Sequence, residues 1–560
     1  MGNIHFADLM LQSASKWNVL DQGNPEQDEW GSVLYHDSLS KDANGYPLEI
    51  PQNFKSQDEP QIARKFVLLD ANGPYPTGNY TLLYDGEGTI QLYGGDIDKI
   101  VMQTSGKIVF TLKNNFQGLG VEIRKSLKSN PIQNIRILLP GTEVNSTSFP
   151  FNPQFLKQLE PFSCIRFLNW GGVNDSKQIN WSDRNLPTYV TQSSSSKGAV
   201  AYEYMIQLCN LTQKDMWLCV PHAADANYRT QLATLIKDKL APNLKVYVEY
   251  SNEVWNDIFE QHWYVQDNAP TNIVFHTHKY AYLANECFKS FNAVFGNNSN
   301  RMVRVLAGQH YNPWILEEAV NKMKAIGGKF DALSVASYFA PIGLSGNLSV
   351  NEIANLTKAE IATNAKKHII SLSNLAKANN VPVVMYEGGP HMTKDQFGGA
   401  GQPFVNALCQ FHESQQMYDI YNDWLDFLRD SAKVKLNNIL GFQDDICYFG
   451  HIKDLWDNTP TIKMKAVLDN MCSPVSNYNL DETATDILFP NPFSDIINIR
   501  QNSEEQTTIL INDINGTLIF SQKIENQESV VDSSMFPPGI YFLTLIQHEN
   551  RRVFKLVKIE

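Results

Sequence analysis

From about residue 131 to 472, apolar runs of strand length alternate with longer helical stretches, a pattern that admits few architectures. The runs are NIRILLP (134–140), CIRFLNW (164–170), MWLCVP (216–221), LKVYVEY (244–250), MVRVLAG (302–308), ALSVASYF (332–339), VPVVMYE (381–387) and ILGFQDD (439–445). Helix-like segments lie between them, among them 153–159, 231–240, 278–293 and 359–378. Strands buried on both faces read as unbroken apolar runs, and parallel neighbours need a crossover long enough to hold a helix. Eight such units close a (β/α)8 barrel, so the chain is expected in the α/β class with a TIM barrel over 131–472.

The flanking segments have other periods. Residues 1–59 read as a lead-in segment that opens with an amphipathic stretch carrying Phe6, Leu9, Met10 and Trp17. Residues 60–130 alternate apolar and polar positions between DGEG and TSGK turns, the pattern of a β-sandwich domain. Its favoured role is to buttress the barrel, with carbohydrate binding as the alternative. Residues 473–486 are polar and aperiodic, a linker, and 487–560 form a compact C-terminal β-module.

Composition narrows the partners. A formal charge of −13 repels nucleic acid at long range and favours a neutral partner, and it disfavours a sulfated or uronic glycan only weakly, because a local basic groove can coexist with an acidic surface. Runs of about 18 apolar residues, the mark of a membrane span, are missing. So are the spacings of a zinc site, a phosphate loop, a dinucleotide fingerprint and a serine-hydrolase elbow, hence no metal or cofactor is expected. The seven cysteines sit mostly in apolar runs without paired spacing and are expected to be buried free thiols.

Two acidic residues stand out. YVEYSNEVWN (247–256) runs from an apolar strand into Asn252-Glu253, and VPVVMYEGGP (381–390) ends a second strand on Glu387. A carboxyl group at the mouth of an apolar strand is partly desolvated, which raises its pKa toward that of a general acid. The two glycines after Glu387 let another backbone or a sugar come close. The bland alternative for each glutamate is a salt-bridged strand-end carboxylate.

Asn252-Glu253 after the fourth strand and Glu387 after the seventh resemble the signature of glycoside hydrolase clan A, and the resemblance spans the barrel region. It implies that Glu253 is the acid/base, that Asn252 holds the sugar 2-hydroxyl, and that Glu387 is the nucleophile. Arg166 is similar to the clan arginine that orients the nucleophile. More narrowly, FLNWGG, WSDRNLP, VPHAAD and VEYSNEVWN resemble a group of related proteins known as cellulose-binding proteins. Many clan members carry a tryptophan at the end of the eighth strand. GFQDDICYFG has none, and Trp456 in the following loop is a candidate substitute.

The last module resembles the type A C-terminal sorting domain of the type IX secretion system of Bacteroidetes. The matching residues are FPNPFSD (489–495), NGTLI (515–519), FPPGIYFLTL (536–545), Lys555 and Lys558. The resemblance implies a C-terminal β-sandwich sorting domain, the type IX machinery as partner, and a secreted or cell-surface location. It also implies a native signal peptide, of which this chain shows no trace.

Expected substrate-binding residues are Asn252, Arg166, His222, Tyr338, His310 and the flat faces of Trp170, Trp181 and Trp456; Trp255, Tyr311 and Trp314 also lie near strand ends. His222 and Tyr338 are expected to bond the sugar and Glu387, against the alternative of satisfied polar residues at the barrel rim. Retention requires the two carboxyl groups about 5–5.5 Å apart, too close for an intervening water. The expected function is a retaining glycoside hydrolase cleaving a β-linked polysaccharide or oligosaccharide. The alternative is a non-catalytic secreted glycan-binding protein on a barrel scaffold.

Overall fold

The computed structural model describes residues 4–21, 39–52, 61–68, 75–113, 117–143, 150–193, 200–341, 348–393, 402–471, 487–489, 493, 495–500, 506–513, 518–526, 528–537, 539–547 and 550–558. They form two units, Met1–Met471 and Cys472–Glu560. No helix among the described residues is long and apolar enough to cross a membrane.

The first unit opens with β1 (Asn18–Asp21), β2 (Gln61–Leu68), β3 (Tyr80–Asp85), β4 (Gly88–Tyr93), β5 (Ile97–Thr104), β6 (Lys107–Leu112), β7 (Leu119–Ser126) and β8 (Gln133–Leu138). They make two antiparallel four-stranded sheets, β1-β2-β7-β4 and β5-β6-β3-β8. Period two sets the packing: Tyr80 and Leu82, Ile90 and Leu92, Val121 and Ile123, and Ile135 and Ile137 all enter one core. Two expectations change here. Residues 18–21, inside the stretch read as a lead-in, form β1 and pair with β2, and Phe6, Leu9, Met10 and Trp17 are buried. The NIRILLP run, expected as the first barrel strand, is β8 and pairs antiparallel with β3, Leu82 opposite Ile137. Its alternating burial was the discriminating sign, since a strand covered on both faces does not alternate.

Next come β9 (Cys164–Arg166), β10 (Asp215–Val220), β11 (Val246–Tyr250), β12 (Met302–Ala307), β13 (Ala332–Phe339), β14 (Val383–Pro390) and β15 (Leu436–Asn437). They pair in parallel, in chain order, as one seven-stranded sheet. The expected eighth strand at 439–445 is instead a looped segment. β15 ends at Asn437, Gly441 takes a φ of +73°, and Gln443 makes a lone bridge to Ile452. The strands from β10 to β14 divide their residues between two cores. Met216, Leu218, Val246, Val248 and Met385 pack in the large core that includes the helices, whereas Trp217, Tyr247, Val384 and Tyr386 line the other face.

The sheet is rolled. β9 and β14 stand five places apart in the strand order, about 24 Å if the sheet were flat. Yet Arg166 of β9 meets Glu387 of β14 at 3.0 Å.

The looped segment after β15 is stapled. Cys409, in the helix Gln402–His412, forms a disulfide with Cys447, which corrects the expectation of free thiols for this pair. Cys164, Cys209, Cys219 and Cys287 are free. The buried Lys463 ammonium adds bonds of 2.9 Å to the carbonyls of Ile446 and Tyr448. Replacing both Cys409 and Cys447 with alanine is expected to cost about 2–4 kcal/mol, since the bond closes a loop of 38 residues. Urea denaturation measures it, and an unchanged midpoint would show that the lysine alone holds the segment.

The second unit contains β16 (Ile487–Phe489), β17 (Ile496–Arg500), β18 (Thr507–Asp513), β19 (Leu518–Ile524), β20 (Glu528–Asp532), β21 (Gly539–Gln547) and β22 (Asn550–Lys558). Its sheets run β16-β17-β20 and β19-β18-β21-β22 around a core that includes Ile497, Ile509, Ile511, Leu543 and Leu545.

Candidate active site

Glu253 emerges from a strained turn. β11 ends at Tyr250, and both Ser251 (φ +60°) and Glu253 (φ +40°) enter the left-handed region, which side-chain-bearing residues avoid at a cost of about 1–3 kcal/mol each. Bonds around the turn hold it there. The Ser251 amide donates to Val220 O at 3.0 Å, and Gln261 Nε2 donates to Asn252 O at 2.9 Å and to Asn174 Oδ1 at 2.8 Å. Glu253 accepts from Asn256 Nδ2 at 3.1 Å and from the Tyr386 hydroxyl at 3.2 Å.

Glu387 is aimed by a β-bulge. On β13 and β14, Val335 pairs with Met385 and Ser337 with Gly388, so Tyr386 and Glu387 together oppose the single residue Ala336. The extra residue breaks the alternation and turns both side chains toward the same site. Gly388 permits the close strand approach, because a Cβ there would lie 1.9 Å from Ser337 Oγ. Glu387 accepts from Arg166 Nη1 at 3.0 Å and from the Tyr338 hydroxyl at 2.8 Å.

Arg166 ties the site together. Its guanidinium grips Glu249 with two bonds of 3.0 and 3.1 Å, reaches Asn252 Oδ1 at 2.8 Å, and meets Glu387. Glu249 also accepts from Trp217 Nε1 at 2.7 Å. Neither Glu249 nor Tyr386 was singled out from the sequence. Glu249 left a sign, an acidic residue in the middle of the apolar run VYVEY. Tyr386 left none, because strict alternation would have placed it on the face opposite Glu387.

Electrostatics separate the two carboxyl groups. Burial first, and the nearby Glu387 charge second, raise the Glu253 pKa to about 7, while Asn256, Tyr386 and Arg166 pull it down. Burial also raises Glu387, against the opposing pull of the Arg166 charge and the Tyr338 hydroxyl. Glu387 has a guanidinium in contact and Glu253 has neutral donors, so the contacts favour a single negative charge shared by the pair on Glu387. Burial and the Glu387 charge push the Tyr338 hydroxyl far up, which keeps it a donor.

The remaining expected residues make other contacts. The buried His222 packs its ring 5.0 Å from Tyr264, accepts at its carbonyl from the Tyr250 hydroxyl, and is pushed down to about 4 by burial. His310 bonds through Nε2 to Ala365 O at 3.2 Å and is likewise pushed to about 4. Trp170 packs among Phe6, Phe151 and Phe155, and Trp181 stacks on Tyr202 beneath Arg184. Trp456 packs against both the helix-side core and the sandwich core. In the looped segment, the Phe449 ring lies 6.0 Å from that of Tyr338, whose hydroxyl bonds Glu387, and 5.5 Å from that of His391.

Residues 487–560 match the model of the secretion system C-terminal sorting domain. No curated protein matches the chain in sequence. Among solved structures, the chain is similar to a GH51 arabinofuranosidase from Xanthomonas axonopodis pv. citri, at 13% identity over 73% of this chain and 88% of that one, with a TM-score of 0.41. It is also similar to a modular endo-β-1,4-mannanase from Cellulomonas fimi, at 7% identity over 72% and 95% of the two chains, with a TM-score of 0.35. A further similarity, to PorZ, a surface component of the type-IX secretion system of Porphyromonas gingivalis, has 16% identity and a TM-score of 0.13. It spans 14% of this chain and 12% of that one.

Proposed function

We propose that the chain is a retaining glycoside hydrolase acting on a β-linked glycan, with Glu253 as acid/base and Glu387 as nucleophile. The observation that carries this is the difference between two neighbouring carboxyl groups: Glu387 is held by a cation and a hydroxyl donor, whereas Glu253 is held by neutral donors, with burial and the Glu387 charge raising its pKa to about 7. In a double displacement the ionised Glu387 attacks the anomeric carbon while Glu253 gives its proton to the departing oxygen. Glu253 then takes a proton from the water that releases the sugar. On this reading the rolled sheet and the looped segment after β15 close as a (β/α)8 barrel. The C-terminal unit directs export by the type IX route to the cell surface or medium.

The test is leaving-group dependence. Glu253→Ala is expected to slow natural glycosides about 10²–10⁴-fold, yet to act far better on glycosides with an activated aryl leaving group, which needs little protonation. Equal losses on both substrate types would reject Glu253 as the acid. In the wild type, activity should fall as pH rises through about 7, because the acid loses its proton there. Tyr386→Phe removes a bond that favours the ionised carboxylate, so the Glu253 pKa rises and the basic limb of the profile moves to higher pH. A shift to lower pH contradicts the assignment.

A further inference from the structure

Every exposed large aromatic residue among the described residues of the first unit lies beyond β11 or β12. Trp263 (54% exposed), Phe275 (54%), Tyr311 (39%) and Trp314 (49%) share this region with Ile258 (74%) and Val274 (78%). An apolar strip this bare invites association with other molecules unless it has a use. Three of the rings, those of Trp263, Phe275 and Trp314, are linked in space through their neighbours. Trp263 lies 5.1 Å from His262, His262 stacks on His276 at 3.9 Å, and Phe275 meets Trp314 edge-on at 6.4 Å.

The strip lies near the candidate site. A small pocket is lined by Glu253, Trp255, Thr277, His276 and Ile315, and the last two are the chain neighbours of Phe275 and Trp314. Trp255 Nε1 and Thr277 Oγ1 on its wall are buried without a partner among the described residues, so hydroxyl or water oxygens are the groups that satisfy them.

We infer that this strip is a binding surface for successive sugar rings of an extended neutral polysaccharide, on the leaving-group side of the cleavage point. The inference rests on the glycosidase reading, because Glu253 as acid must face the departing oxygen, and the strip lies on the segments after β11 and β12, whose residues share a pocket with Glu253, rather than after β14 with Glu387. Indole and phenyl faces accept the apolar C–H faces of pyranose rings. A formal charge of −13 opposes a polyanionic chain. The substrate is therefore a polymer that extends beyond the cleavage point on its leaving-group side.

The experiment compares the wild type with Trp263→Ala/Phe275→Ala on two probes: a short aryl glycoside that the wild type cleaves, and a panel of neutral β-linked polysaccharides (mixed-linkage glucan, galactomannan, xylan). On the polymer that the wild type cleaves, kcat/KM is expected to fall about tenfold or more, with retardation in polymer-containing gels lost, while kcat/KM on the aryl glycoside stays within about twofold. Trp263→Tyr/Phe275→Tyr keeps the ring faces and should retain most polymer activity. Equal loss on both probes would mean that the rings support the fold, and unchanged polymer activity would mean that they bind no chain; either overturns the inference. So does wild-type self-association that the alanine variant abolishes while polymer turnover is unaltered. If the wild type cleaves nothing yet its polymer retardation depends on Trp263 and Phe275, the glycosidase reading fails and the strip stands.

Discussion

Replacing Glu387 with alanine is expected to lower turnover by on the order of 10⁴-fold or more, because the atom that bonds to the sugar is removed. The loss should be shared by natural and activated substrates alike, in contrast to Glu253→Ala, since no leaving group is good enough to replace a missing nucleophile. Azide separates the roles further. With Glu387→Ala it occupies the vacated space beside Arg166 and Tyr338 and yields the glycosyl azide of inverted configuration. With Glu253→Ala it attacks the covalent intermediate and yields the retained one. Reversed stereochemistry would exchange the two assignments. Wild-type rates in both variants would leave a glycan-binding role on this scaffold.

Arg166→Met is expected to be nearly as damaging, for a different reason. The side chains of Arg166, Glu249 and Glu387 are 5%, 1% and 7% exposed, and the guanidinium contacts both carboxylates. Removing it leaves two buried acids facing each other without a cation, at a cost of about 3–5 kcal/mol. It also raises the Glu387 pKa further, so the ionised form needed for attack is reached only at higher pH. The acidic limb of the pH profile should therefore move up while maximal activity falls. Arg166→Met/Glu249→Gln tests the division: it should recover much of the stability in urea denaturation and none of the activity. Recovery of both would reduce Arg166 to a structural ion pair.

Much of the parallel sheet was legible because a strand covered on both faces has to be apolar at successive positions. MWLCVP, LKVYVEY, MVRVLAG, ALSVASYF and VPVVMYE coincide with β10 to β14 for that reason. The two outermost runs misled for opposite reasons. NIRILLP has the same residue types, but its alternating isoleucines belong to a sandwich covered on one face, and ILGFQDD carries too much charge and glycine to pair beyond Asn437. Trp170 and Trp181 show a further limit, since an indole serves a core as well as it serves a sugar, and the sequence carries no sign that they will meet Phe155 and Tyr202.

What the sequence by itself determined was the kind of residue placed at each strand end: Glu253 after one apolar run, Glu387 at the close of another, and an arginine in a third. Those choices are local, set by hydrophobic period and by the cost of burying a charge. Which charges face one another was decided by tertiary structure. Rolling of the sheet brings β9 to β14 so that Arg166 meets Glu387. A bulge of one residue turns Tyr386 and Glu387 to the same side. Two left-handed residues aim Glu253 back over the site. Each arises from strand pairing and strain accumulated over distant segments, and proton affinity follows from it, because burial and the Glu387 charge lift Glu253 toward neutrality only after the chain has closed around them.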